Sequence, residues 1–215
     1  MDPFENLSNL QKARLFNLLN VHTYNFKKNQ NIIPLLKSDN IIGIILTGNA
    51  KLTNTDYNGN EIVLETLETN SVFGTNISNI NVNNCELIAL DDTEIALINC
   101  EELYDIQHTN YVYFNVFVTN LLKTINLKYK QTNEKLRVLS QKSIRDKLLE
   151  YFEIQYQKTL SRTIELPFSL KELADYLVVN RTSLFRELKY LKEDKFIKTK
   201  GNKITLLYKD NYMIF

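Results

Sequence analysis

Tryptophan is absent from this 215-residue chain, and histidine, cysteine, glycine and proline are all scarce. The two histidines, His22 and His108, stand far apart in sequence. No nucleophile motif, HExxH pair or phosphate-cradling glycine loop accompanies them, so the sequence offers no catalytic constellation. Its two cysteines, Cys85 and Cys100, form neither a CxxC pair nor a disulfide framework. A structural zinc or an iron–sulfur cluster is therefore not expected, and both are read as reduced thiols. Long apolar runs are missing as well. The densest, Tyr111 to Leu122, is too short and too polar for a bilayer, which needs ~20 residues. With no N-terminal signal pattern, a cytoplasmic protein without a membrane partner is expected. The five glycines and three prolines contrast with abundant Asn, Ile and Lys, a bias that reads as an AT-rich coding background.

What is present is an uneven distribution of charge. Residues 1–139 carry 11 basic and 15 acidic side chains, whereas residues 140–215 carry 15 and 10. The balance is thus −4 in the first part and +5 in the second, which gives the two halves different electrostatic roles.

Along the chain, Leu7, Leu10, Leu15, Leu18 and Leu19 fall at roughly helical spacing. Short β-like runs follow at Ile41–Gly48, Lys51–Thr55, Glu61–Leu67, Cys85–Leu90 and Thr93–Asn99. Asp56–Asn60, with its Gly59, signals a hairpin between two of them. Such closely spaced short strands predict an antiparallel sandwich or barrel. From about Glu101 to Arg137 glycine and proline disappear and the period becomes helical. Phe114, Val118, Leu121, Ile125 and Tyr129 form an apolar stripe, widened by Phe117 and Leu122 and continued by Thr132 and Leu136. A helix of ~40 Å outreaches a small sandwich, so a two-stranded coiled coil between subunits is expected to cover part of this stripe.

A new helical pattern begins after Leu139, with Ile144, Leu148, Leu149 and Phe152 on its inner face. Thr163–Leu170 supplies a short strand and a proline stop at Pro167. Ser169 and Glu172 then make a capping box, and Leu184, Leu188 and Leu191 form one face of a further helix. Phe196–Tyr208 reads as two strands about Gly201–Asn202. Helix, strand, helix, turn, helix and hairpin together describe a winged helix-turn-helix. The expected architecture is α+β: an N-terminal antiparallel sandwich or barrel over residues 1–100 (a jelly-roll-like β-roll in the family resembled below), a long dimerisation helix and hinge over 101–139, and a winged helix-turn-helix over 140–215.

The stretch from Pro167 to Ile197, PFSLKELADYLVVNRTSLFRELKYLKEDKFI, closely resembles the DNA-binding signature of the CRP/FNR family of bacterial transcription regulators. Gly48, Gly59 and Phe73-Gly74 are similar to the turn glycines of that family's cyclic-nucleotide-binding β-roll. TNEKLRVLSQKSIRDKLL resembles the end of its dimerisation helix, the hinge and the first helix of the DNA-binding domain. The resemblance implies a homodimer, a sensory β-roll, a palindromic double-stranded DNA site and RNA polymerase as a further partner.

The sensory half departs from the family pattern where ligand chemistry should sit. Cyclic-AMP-binding members carry a cassette that opens with Gly-Glu and closes with Arg-Ser. Here Gly74-Thr75 and about Asn83-Asn84 stand in those places, ahead of Cys85. A cyclic phosphate would lack its charge-assisted arginine, so cyclic AMP is not expected, although Thr132 does match an adenine-contacting threonine. Phe73, Gly74, Thr75, Asn84, Cys85 and Thr132 remain the candidate effector pocket. The N-terminus lacks the cysteines of the oxygen-sensing branch, which excludes that iron–sulfur mode. His22, His108 and Cys85 are the available haem ligands, and none sits in a recognisable haem motif. An unidentified effector and effector-free regulation both stay open, as does a haem- or other ligand-sensing roll whose winged helix serves protein contact.

On the DNA side, Arg181 and Arg186 match the two arginines of the family's recognition helix, here residues 180–192, with Asn180 as its N-cap. Arginine can make two hydrogen bonds to guanine O6 and N7. Thr182 replaces a usual glutamate, and Phe185 replaces a small residue at the base-facing edge, where a thymine methyl is an apolar partner. The half-site is therefore expected to depart from the usual TGTGA or TTGA type. Lys171, Ser183, Lys189, Lys200 and Lys203 are suited to phosphates, which position without reading sequence.

Overall fold

The computed structural model describes residues 1–36, 40–55, 59, 61–75, 77–78, 85–166 and 169–208. Two compact units divide the chain, Met1–Lys128 and Tyr129–Phe215. The expected turn at Asp56–Asn60 (Gly59 apart), the proline stop at Pro167 and Asn83-Asn84 lie outside the described residues.

In the first unit, α1 (Asn9–Leu18) starts at a capping box in which Ser8 and Gln11 bond reciprocally. Leu15 and Leu19 are its buried anchors, whereas Leu10, expected on the same face, is exposed. The strands are β1 (His22–Phe26), β2 (Ile41–Thr47), β3 (Ala50–Thr55), β4 (Glu61–Leu67), β5 (Val72–Gly74), β6 (Cys85–Ala89) and β7 (Thr93–Asn99). They form two antiparallel sheets, ordered β1-β7-β2-β5 and β4-β3-β6. Successive side chains on a strand face opposite sides, and β2 buries both. Ile42 and Ile44 join α1 and the long helix in one core, while Ile45 joins Phe73, Leu52 and Leu87 in another. That two-sided burial explains the nearly unbroken apolar run IIGIIL. Gly43 is required within it: a Cβ there would stand 2.2 Å from the Phe73 ring.

The helical period expected from about Glu101 is interrupted. It resolves into α2 (Cys100–Tyr104), a 3-10 turn over Ile106–Asn110 and α3 (Val112–Leu139). Asn99 caps the start of α2, accepting from the Glu101 N–H, and Asp105 breaks the run by accepting from the Gln107 N–H, a local alternative to continuing a helix. On α3, Phe114, Phe117 and Leu121 are buried against Phe4, Leu15 and Ile98 of the same unit. These three belong to the chain's own core, a correction to their expected place against a partner. Leu122, Tyr129 and Leu136 are exposed, and Val118 and Ile125 half-buried.

The second unit holds the end of α3, then α4 (Ile144–Thr159), β8 (Thr163–Glu165), α5 (Leu170–Tyr176), α6 (Arg181–Glu193), β9 (Ile197–Lys200) and β10 (Lys203–Leu206). Its small antiparallel sheet runs β8-β10-β9. Leu148, Phe152, Leu173, Leu184, Leu188 and Leu191 are central to one continuous core. The last turns of α3 are tied to this unit by Val138 in that core and by the ion pairs Glu134–Lys158 and Arg137–Glu150. No helix among the described residues is long and apolar enough to cross a membrane.

Candidate nucleic-acid interface

The α5–turn–α6 segment is built by local chemistry. Ser169 caps α5, accepting from the Glu172 N–H, while the Glu172 carboxylate accepts from the Ser169 N–H at 2.7 Å and its hydroxyl at 2.8 Å. Those bonds hold the Glu172 carboxyl below its ordinary pKa. Asn180 caps α6, its Oδ1 accepting from the N–H groups of Thr182 at 2.9 Å and Ser183 at 3.4 Å. Between the helices Val178 takes a left-handed conformation, φ 54°. Lys147 of α4 donates to the Leu177 carbonyl at 3.2 Å and braces the end of α5.

Position is then fixed from two sides. Leu184, Leu188 and Leu191 are buried, at 0 %, 4 % and 0 % exposure, which turns the opposite face of α6 outward. From α4, Arg145 reaches Asp194 at 2.7 Å and Glu187 at 3.6 Å, with its guanidinium 4.8 Å from the centre of the Phe196 ring. Arg145 was not among the residues expected to matter. No periodicity marks it, because its partners lie more than forty positions away.

The outward face of α6 carries Arg181, Thr182, Phe185, Arg186 and Lys189, all exposed, with Ser183 half-buried. Phe185 leaves 50 % of its surface to solvent. Arg181 lies 3.8 Å from Asp175, both side chains at least half exposed. Such a pair contributes ~0–1 kcal/mol and is readily exchanged for another partner. Lys189 stands 3.7 Å from Glu193 in a similarly open pair. Lys171 is exposed on the first turn of α5. On the wing, Lys200 and Lys203 are directly opposed across the β9–β10 ladder, a like-charge juxtaposition that destabilises a hairpin. Glu165 relieves part of it, 3.6 Å from Lys203; a bound anion would relieve the rest. The arrangement is a convex helix face with cations and one aromatic, beside a cationic hairpin. It is suited to a groove lined by phosphates.

The expected effector residues have different fates. Phe73 and Cys85 are buried in the core between the sheets, and Gly74 packs closely on the Ile41 carbonyl. Thr75 belongs to the same unit, whereas Thr132 lies on the part of α3 that belongs to the second. Of the histidines, His22 is exposed on β1. His108 is buried, with Nδ1 2.8 Å from the Glu102 carbonyl and Nε2 3.6 Å from Asp105. Among the described residues no group of three His, Cys, Asp or Glu is placed to hold a metal ion. Burial raises the Tyr151 and Tyr176 hydroxyls above their ordinary pKa, as befits packing residues.

Along the chain a two-sheet β-roll is followed by a long helix and a winged helix-turn-helix. Residues 145–210 match the family model described as the Crp-like helix-turn-helix domain. That match covers less than a third of the chain and makes this segment similar to the helix-turn-helix domain of Crp-like proteins. It is 27% identical over 186 residues, 84% of this chain and 77% of the relative, to ycf28 of Porphyra purpurea, a protein whose own name places it provisionally among HTH-type transcriptional regulators. Among solved structures, CprK complexed with OCPA superposes with a TM-score of 0.61 at 19% identity, covering 92% of this chain and 91% of that one. The catabolite activator protein of Thermus thermophilus gives 0.50 at 17% identity, covering 95% and 92%. A CooA variant from Carboxydothermus hydrogenoformans gives 0.54 at 18%, covering 95% and 88%. At these identities the structures speak for the fold.

Proposed function

We propose that this protein is a homodimeric, sequence-specific DNA-binding transcription regulator of the CRP/FNR type that reads an inverted-repeat operator through α6. The observation that carries this reading is the division of α6 itself. Its leucines are locked into the core while Arg181, Thr182, Phe185 and Arg186 stand exposed on the other face. Arg181 and Arg186 read bases, Thr182 and Phe185 adjust which bases are accepted, and Lys171, Ser183, Lys189, Lys200 and Lys203 hold phosphates. The similarity to ycf28, named as a transcriptional regulator of the HTH type, supports the same assignment. RNA polymerase is its further partner.

The second copy packs along α3. Val118, Leu122, Ile125, Tyr129, Thr132 and Leu136 follow the alternating 4-3 spacing of a coiled-coil seam, on a face that the chain's own core leaves partly or wholly exposed. Two recognition helices related by a twofold axis would enter successive major grooves ~34 Å apart. Residues 1–100 form the sensory part, 101–139 the dimerisation helix and hinge, and 140–215 the reading part. Control does not use cyclic AMP: Thr75 stands where the ribose-gripping carboxylate would be. Footprinting on genomic fragments tests the reading. Protected sites with dyad symmetry are expected, and sites without it would refute the dimeric reader.

A further inference from the structure

One lysine on α3 is enclosed by the β-roll. The Lys128 ammonium donates to the Val72 carbonyl at 3.0 Å and to the Ser78 hydroxyl at 2.8 Å, and pairs with the Glu65 carboxylate at 2.8 Å. Its side chain is 19 % exposed and that of Glu65 28 %. An ammonium has three N–H donors, and carbonyl, hydroxyl and carboxylate oxygens meet it. They come from three places: β4, the start of β5 and the turn after β5. Val72 and Ser78 bracket Phe73–Thr75, the first part of the expected effector pocket. Burying an unpaired ammonium is costly, and a partly buried ion pair is retained where hydrogen bonds complete it.

We propose that Lys128 is an internal ligand of the β-roll: its ammonium holds α3 against the β5 turn, a task that a bound small molecule would otherwise perform, so the DNA-competent state forms without an effector. The regulatory half of this inference rests on the DNA-binding function proposed above; the ammonium site itself does not.

Full-length Lys128→Ala tests both halves, because it removes three methylenes and the ammonium, the shape of n-propylammonium. The variant should melt below the wild type. Millimolar n-propylammonium should raise its melting temperature, while tetramethylammonium, which has no N–H donor, should not. Equal melting of variant and wild type, or equal effects of the two amines, would overturn the ammonium site. On selected DNA the wild type should bind with no additive, and Lys128→Ala should bind roughly tenfold more weakly, within the usual range of coupling between sites. n-Propylammonium should restore that affinity. Unchanged affinity in a thermally weakened variant would reduce Lys128 to a structural tie and overturn the regulatory half. A wild type that binds no DNA would refute the proposed function while leaving the amine rescue standing. If Lys128→Ala does not fold, Glu65→Gln, which keeps a hydrogen-bond acceptor but not the charge, should lower both melting temperature and DNA affinity to a smaller degree; no change in either would overturn the inference.

Discussion

Val178 sits in the turn before α6 with φ 54° and 70 % of its surface exposed. A left-handed conformation costs a non-glycine residue ~1–2 kcal/mol, and β-branching makes it rarer still. Asparagine tolerates this conformation. Val178→Asn should recover most of that strain while forfeiting the partial burial of the valine, roughly 0.5–0.9 kcal/mol when full burial contributes ~1.5–3 kcal/mol. The net expectation is a gain of about 0.5–1 kcal/mol. Val178→Gly recovers the same strain but adds freedom to the unfolded chain, a loss of about 0.4–1 kcal/mol, and should come out near zero. For a unit of this size the asparagine gain corresponds to a rise of roughly 3–6 °C in melting temperature. Differential scanning calorimetry of the full chain, following the transition of the second unit, would measure it. An asparagine variant that melts at or below the wild type would refute the strain argument.

In the first unit, Gly43→Ala drives a methyl into the Phe73 ring and should destabilise by about 1–3 kcal/mol, the usual range for overpacking. Adding Phe73→Leu should return part of the loss in denaturant titrations. On α3, Leu122→Glu places a charge on an exposed seam position and should shift sedimentation from dimer to monomer without lowering helicity; a persistent dimer would place the interface elsewhere. The Glu172 carboxyl, held below its ordinary pKa of 4.5 by Ser169, binds protons less readily folded than unfolded. The stability that wild type holds over Glu172→Gln should therefore be complete above pH 4.5 and disappear as pH falls through the lowered value. A difference that grows on acidification would contradict the sign.

The sequence disclosed elements wherever one physical signal dominated. Leu184, Leu188 and Leu191 announced the buried face of α6, and Ser169 and Asn180 announced the N-caps of α5 and α6, because apolar spacing and capping are local. The strands β2, β3, β4, β6 and β7 were legible from their apolar and β-branched runs. By contrast β1, HTYNF, is almost wholly exposed and, among the described residues, is the edge strand beside β7, so no buried face marks it in the sequence. β5 spans three residues, too few for a period. Helix ends were obscure for another reason. With glycine so rare, Leu160, Val178 and Lys195 occupy the left-handed positions after α4, α5 and α6, where glycine would ordinarily mark a stop. On α3 some apolar residues serve the chain's own core and others, Leu122, Tyr129 and Leu136, stay exposed. A count of hydrophobics sees one wide stripe, and only the packing of Phe114, Phe117 and Leu121 divides it. In the site, the outward arginines were legible from the helix period. Arg145 and Lys128 were not, because each takes its partners from distant segments.

The central claim, that α6 reads base sequence, is tested most directly by titrating wild type, Arg186→Ala and Phe185→Ser against a panel of operators with single base-pair changes, at two salt concentrations. Arg186→Ala should cost about 1–3 kcal/mol, with the loss concentrated at one base pair of each half-site and the salt slope nearly unchanged. Phe185→Ser should relax a preference for thymine beside it. A uniform loss on every sequence, accompanied by a shallower salt slope, would make Arg186 a phosphate contact and contradict the account.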